Sequence, residues 1–129
     1  AMDNGRRNAL EVTWLHGDVL HADLVIPSVD LIVSNPPYVP RSEEAGLGIH
    51  VRAHEPHLAL LVEDTDPLRF YRAIGGKALS ALSTGGALWF EGHHIHSPEV
   101  AVLLEQFGYH DVRSIKDLSG APRFVRATR

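Results

Sequence analysis

Residues 29–34 read Val-Asp-Leu-Ile-Val-Ser, a short apolar run that stops abruptly at Asn35-Pro36-Pro37. A strand buried on both faces reads this way, as a brief run without alternation. Neither proline can continue it, because each lacks an N–H and has its φ fixed. The sequence therefore predicts a central strand with a stiff loop at its carboxyl end. Such a strand needs crossover segments and covering helices, and the rest of the chain supplies candidates for both.

Upstream, Asp3 to Leu10 reads as the tail of a helix weakened by Gly5. Glu11 to Leu15 (EVTWL) is rich in β-formers and is predicted as a strand, with a turn at Gly17-Asp18. Residues Tyr38 to Asp66 are rich in Pro, Glu and His and show weak periodicity. A loop of that length is usually functional or mobile. From Pro67 to Leu82 apolar residues recur at helical spacing, with Asp66 as the expected N-cap and Pro67 at the first helical position. Gly75-Gly76 should weaken the middle of that helix. Thr84-Gly85-Gly86 ends it, and Ala87 to Glu91 is a further short strand. Ser97-Pro98-Glu99 starts a second helix, Pro98 to Phe107, closed by Gly108. Tyr109 to Lys116 and Arg123 to Thr128 are strands joined by a turn. The order β, β, long loop, α, β, α, β, β points to a three-layer α/β domain. Its sheet should be mostly parallel, with an antiparallel C-terminal strand.

The chain has 129 residues, enough for one domain with a real core. A formal net charge of -4 argues against a broad basic surface for nucleic acid. No cysteine is present, which excludes a disulfide framework and thiolate chemistry. No apolar run approaches the roughly 20 residues of a membrane span, and no signal peptide opens the chain. These features predict a soluble, cytoplasmic protein without a membrane partner.

In open α/β sheets ligands bind beyond the carboxyl ends of strands, where Asn35-Pro36-Pro37-Tyr38 falls. The residue types suit methyl transfer to a planar nitrogen. An amide nitrogen is a poor nucleophile because its lone pair is delocalised. The Asn35 side-chain oxygen can accept one N–H and the Pro36 carbonyl the other. The nitrogen is then held with its lone pair toward a sulfonium methyl group. Pro37 and Pro36 stiffen the loop, so little entropy is lost on binding. Tyr38 can lie against the flat face of the acceptor. Catalysis would be chiefly orientation, since the sulfonium carries its own leaving group. A plain rigid turn is the alternative reading.

Beyond the tetrapeptide, the chain resembles the HemK-type peptide-chain release factor N5-glutamine methyltransferases. The likeness rests on Asp30 to Pro40 (DLIVSNPPYVP), on Glu55-Pro56 followed by Leu58-Ala59-Leu60, and on Phe70-Tyr71-Arg72. It continues through Gly85-Gly86 and Glu91, then Lys116 to Gly120 (KDLSG) followed by Arg123, with Arg7-Asn8-Ala9 and Gly17-Asp18 upstream. The resemblance implies a Rossmann-like class I methyltransferase fold and S-adenosyl-L-methionine as methyl donor, without a metal. It implies a glutamine in the Gly-Gly-Gln motif of a release factor as substrate. Asn35, Pro36 and Tyr38 would be catalytic, and with Pro37 and Glu55 they would bind the substrate. Asp18 and Asn35 would face the cofactor, with Asp18 near the adenine. Glu55 is equally well a solvated loop charge, and Glu91 is a weaker candidate of the same kind.

Two stretches depart from the family pattern. No glycine-rich strand–loop–helix unit precedes Asn8, although class I methyltransferases hold the methionine part of the cofactor on one. Residues 1–129 would then be the C-terminal portion of a catalytic domain. Its sheet would be incomplete, since the family's missing strands lie between Glu11–Leu15 and Val29–Ser34. As written, the chain should bind S-adenosyl-L-methionine weakly or not at all and be inactive alone. After Glu91, where the family has Gly and Gln, this chain has Gly92-His93-His94-Ile95-His96. That segment reads as a strand–helix loop rather than a metal site, and His50, His54 and His57 read as solvated. Two other functions fit the loop less well. One is an N6-adenine or guanine-N2 methyltransferase on DNA or RNA, with Tyr38 stacking on a flipped base. The other is a non-catalytic fragment that binds or dimerises through exposed sheet edges.

Overall fold

The computed structural model describes residues 2–129. Four strands form the main sheet: β1 (Val29–Ser34), β4 (Leu82–Glu91), β5 (His110–Lys116) and β6 (Pro122–Thr128). Their order is β1-β4-β6-β5. β4 runs parallel to β1, and β6 runs antiparallel to both β4 and β5. Three strands thus share one direction and the last strand is inserted between two of them against it. This is the mixed sheet expected from the element order.

Helices α4 (Arg69–Ala81) and α5 (Ser97–Gln106) cover one face. α4 buries Tyr71, Ile74, Gly75, Ala78 and Ala81, an i, i+3, i+4, i+7 stripe. These meet Leu88 and Phe90 of β4, Val125 and Ala127 of β6, and Val100 and Leu104 of α5. Gly75 is needed where the two helices approach. A Cβ there would lie 3.1 Å from Leu104 and 3.2 Å from Phe107. The Gly75 carbonyl also accepts a 2.8 Å hydrogen bond from the Tyr109 hydroxyl. Close packing offsets the helix propensity that this glycine lacks.

Several local expectations are corrected. Glu11–Leu15 is not a strand. The edge of the sheet at β1 gives it no ladder partner, and Trp14 instead folds back on Gly5 of α1 (Met2–Arg7). β1 is buried on one face only: Ile32 joins the core, whereas Leu31 is 55% and Val33 71% exposed. On that open face Leu31, Val33, Trp89 and Phe124 line an apolar depression of about 430 Å³. The described residues therefore hold a covered sheet face and an uncovered one, an incomplete version of the three-layer fold. Asp66 does not cap α4. Leu68 occupies that position without a side-chain cap. The Asp66 carboxylate takes the Arg72 guanidinium in two bonds of 3.0 and 3.1 Å, a stronger arrangement.

The long loop is partly structured. It holds β2 (Val39–Pro40), a 3₁₀ turn (Arg41–Gly46), α2 (Ile49–His54), α3 (His57–Leu60) and β3 (Leu61–Val62). β2 and β3 pair in parallel and close the loop on itself. Among the described residues no helix is long and apolar enough to cross a membrane.

Candidate active site

β1 ends at Ser34, and the chain leaves the sheet through Asn35 and Pro36. Pro36 is buried, Pro37 and Tyr38 are half-buried, and Asn35 is exposed. Two prolines in succession fix this exit without needing backbone hydrogen bonds to hold it. Beside the loop an open cavity of about 730 Å³ is lined by His16 to Leu20, Ser34 to Pro37, Leu58, Ala59, Phe70 and Ile74, among others. Asp18 and Asn35, which lie on separate segments, thus share one cavity. The Asp18 carboxylate closes its own turn, accepting the Leu20 N–H at 2.8 Å.

The other side of the loop carries Tyr38. Its hydroxyl donates to Glu91 Oε1 at 3.2 Å, at the carboxyl end of β4. Burial, and after it the negative charge of Glu91, raises the Tyr38 pKa, and the Arg123 guanidinium opposes that rise. The phenol therefore stays neutral and donating over the physiological range. Beneath it, Tyr71 donates to the Glu91 carbonyl at 3.1 Å. Burial also pushes the Tyr71 hydroxyl well above its ordinary pKa.

Glu55 stands apart from this group. It is exposed at the C-terminal end of α2 and does not line the cavity, although Leu58 and Ala59 of the same segment do. Glu91, a minor candidate in the sequence, is placed at the centre of the Tyr38 side. His93 lies in the loop between β4 and α5, as the sequence predicts; within that loop it is 8% exposed, with Nε2 3.1 Å from the Glu43 carboxylate of the 3₁₀ turn. Its carbonyl accepts the Ser97 hydroxyl at 3.1 Å. Its ring centroid is 6.5 Å from that of Tyr38. His93 and Glu43 lie 50 residues apart, so no local pattern could have joined them. Among the described residues no three His, Asp or Glu side chains group as a metal would require. His50, His54 and His57 are exposed.

A neighbouring cofactor can be tested against these residues. The cavity joins apolar walls at Val19, Ile26, Ile32 and Ile74 to polar groups at Asp18, Ser34 and Asn35. An apolar slot with an acceptor at its rim suits an adenine ring and its amino group. The described residues thus fit the nucleoside end of S-adenosyl-L-methionine.

Comparison with known proteins bears on this geometry. No protein-family model matches the chain. A release factor glutamine methyltransferase of Bacteroides thetaiotaomicron is 41% identical over 100% of the chain and 47% of its own length. That of Flavobacterium psychrophilum is 36% identical over 98% of the chain and 44% of its own length. The chain is homologous to the release factor glutamine methyltransferases. It spans about half the length of the curated relatives it matches. The crystal structure of a methyltransferase from Pyrococcus furiosus superimposes with a TM-score of 0.66 at 19% identity, over 99% of this chain and 55% of that one. At that identity the likeness speaks for the fold alone: a partial Rossmann-like methyltransferase sheet. Homology to release factor glutamine methyltransferases fits the position of the Asn35–Tyr38 loop at the end of β1.

Proposed function

We propose that the protein of which these residues are part transfers a methyl group from S-adenosyl-L-methionine to the side-chain amide nitrogen of a release factor glutamine. The observation that carries this is the Asn35-Pro36-Pro37-Tyr38 loop, set between the cavity shared with Asp18 and the Glu91-bound Tyr38 hydroxyl. When bound, the cofactor would supply an electrophilic methyl on a sulfonium. The residues present would do the rest by orientation. Asn35 and the Pro36 carbonyl accept the two amide N–H groups, and Tyr38 packs on the amide plane. The methyl would pass from the sulfonium to the amide nitrogen, leaving a neutral thioether, and the nitrogen would then lose one proton to water. Asp18 would hold the adenine end. In this reading residues 1–129 form the C-terminal portion of the catalytic domain, carrying the acceptor loop. A release factor substrate, which works on the ribosome, supports a cytoplasmic location.

The test uses the whole protein with S-adenosyl-L-methionine and a bacterial release factor, read by peptide mass spectrometry. Methylation should fall on the Gly-Gly-Gln glutamine, and Asn35→Ala should lower kcat by about 100-fold or more. Transfer to DNA or RNA in place of the release factor, or unchanged turnover in Asn35→Ala, would sink the proposal.

A further inference from the structure

We propose that His93 and Glu43 form a latch that fixes the acceptor loop on the end of β4 and so positions Tyr38 for the methyl acceptor; this rests on the acceptor-loop reading above. The segment from Tyr38 to Glu43 is attached to residues 91–93 at both of its ends. At one end the Tyr38 hydroxyl donates to Glu91 Oε1 at 3.2 Å. At the other, Glu43 Oε2 lies 3.1 Å from His93 Nε2. One tether would leave the segment free to pivot about it. Two fix its orientation as well as its position, which is what transfer to a held nitrogen requires.

Both partners of the latch are held from behind. The His93 carbonyl accepts the His96 N–H, the Ser97 N–H and the Ser97 hydroxyl, each at 3.1 Å, at the start of α5. Its Nδ1 accepts the Ile95 N–H at 3.4 Å, which leaves the ring proton on Nε2 to donate to Glu43. The ring is buried, and its centroid is 6.5 Å from that of Tyr38. Glu43 is carried by the 3₁₀ turn, which is bound to the far end of the loop. Arg41 Nε donates to Glu63 Oε1 at 2.8 Å. The Ser42 N–H and hydroxyl donate to Asp64 Oδ1 at 3.1 and 2.8 Å. Those bonds shape the loop without fixing it to the sheet. Among the described residues, Glu43–His93 is the hydrogen bond that joins the turn to the end of β4. An exposed ion pair alone would contribute little, but here one partner is a buried ring. His93 and Glu43 are positioning residues, since they act through the loop that carries Tyr38.

The experiment is a double-mutant cycle in the whole protein. Glu43 is exposed, so its replacement leaves the core untouched. Glu43→Ala should lower kcat/KM for the release factor about tenfold, while the Kd for S-adenosyl-L-methionine changes by less than about twofold. His93→Phe, which keeps a ring in the buried site but lacks the N–H, should do the same. The double variant should match either single within about twofold, because each already opens the latch. Glu43→Gln keeps an acceptor for Nε2 and should retain most of the activity. Additive losses, an equal fall in cofactor affinity, or a Glu43→Gln variant as poor as Glu43→Ala overturns the latch. If Asn35→Ala is also fully active, the acceptor reading itself fails; if it is inactive while the cycle is additive, only the latch fails. A second readout needs no turnover. The Ser42 and Leu47 N–H groups are bonded within the loop, to Asp64 and Glu44. Their hydrogen exchange should quicken about tenfold in both single variants. Exchange at the parent rate overturns the latch.

Discussion

The chain on the two sides of Asn35 is supported in opposite ways. Toward Tyr38, the supports come from the sheet and the core: Glu91 at the end of β4 accepts its hydroxyl, and Tyr71 rises from the core beneath. Toward Asp18, the supports are local or long-armed. Asp18 holds its own turn, and Lys77 of α4 reaches the carbonyls of Ala22 and Leu24 at 3.2 and 3.4 Å. Much of 16–28 is exposed. The difference separates two ways of building a site. The acceptor side takes its rigidity from the hydrophobic core, so damage there should affect folding and turnover together. The Asp18 side should lose ligand affinity without losing the fold.

Gly92→Ala gives the largest effect on the first side. A Cβ at Gly92 would sit 2.6 Å from the Tyr71 hydroxyl, which must then move. Tyr71 is 1% exposed and packs edge-on against Phe90 at 5.1 Å, so it has little room. The displaced hydroxyl would lose its bond to the Glu91 carbonyl. Overpacking and a lost buried hydrogen bond together should cost about 2–3 kcal/mol, read by denaturant unfolding. Turnover of the whole protein should fall too, because Glu91 carries Tyr38. A Gly92→Ala variant of unchanged stability would break the comparison.

Asp18→Ala is the matching change on the other side. It should alter stability by less than about 0.5 kcal/mol. In the whole protein it should weaken S-adenosyl-L-methionine by about tenfold, as expected for one lost polar contact in a ligand site, with kcat little changed. Calorimetric titration and thermal melting check the two halves. The 129-residue chain by itself should bind the cofactor only weakly, since its residues fit the nucleoside end alone; micromolar affinity in the same titration would remove the reason for that limit.

Sequence legibility follows the same division. The Asn35–Tyr38 loop, the stripe of α4 and the reversed last strand were readable, because each is written in consecutive residues or a fixed period. Glu11–Leu15 was misread because β propensity needs a ladder partner, and β1 is an edge. The run 29–34 looked buried on both faces because composition does not report which layers are present; Leu31 and Val33 face an open depression. The His93–Glu43 contact and the Tyr38–Glu91 hydrogen bond were invisible for another reason. They join residues 50 and 53 apart in the chain, and only the pairing of β1 with β4 brings Tyr38 to Glu91. Motif recognition found the turn at Lys116–Gly120 but could not say what it touches.

The smallest expected effect sharpens the acceptor side at its outer end. Hydrogen bonds to the Asp117 carboxylate, the Ser119 hydroxyl first, lower its pKa from 3.8 to about 2. A carboxyl whose folded pKa lies below its unfolded value contributes stability above the unfolded pKa. That contribution is lost as pH falls through the folded one. The stability gap between the parent chain and Asp117→Asn should therefore be full at neutral pH, shrink below about pH 4 and close near pH 2. Urea unfolding at a series of pH values reads this directly. A gap that survived to the acid end would mean that the turn needs the shape of Asp117 rather than its charge. The Asp117–Arg123 pair would then add little to the Lys116–Gly120 turn, and the turn would rest on the hydrogen bonds that the side chain accepts from Ser119 and Ala121.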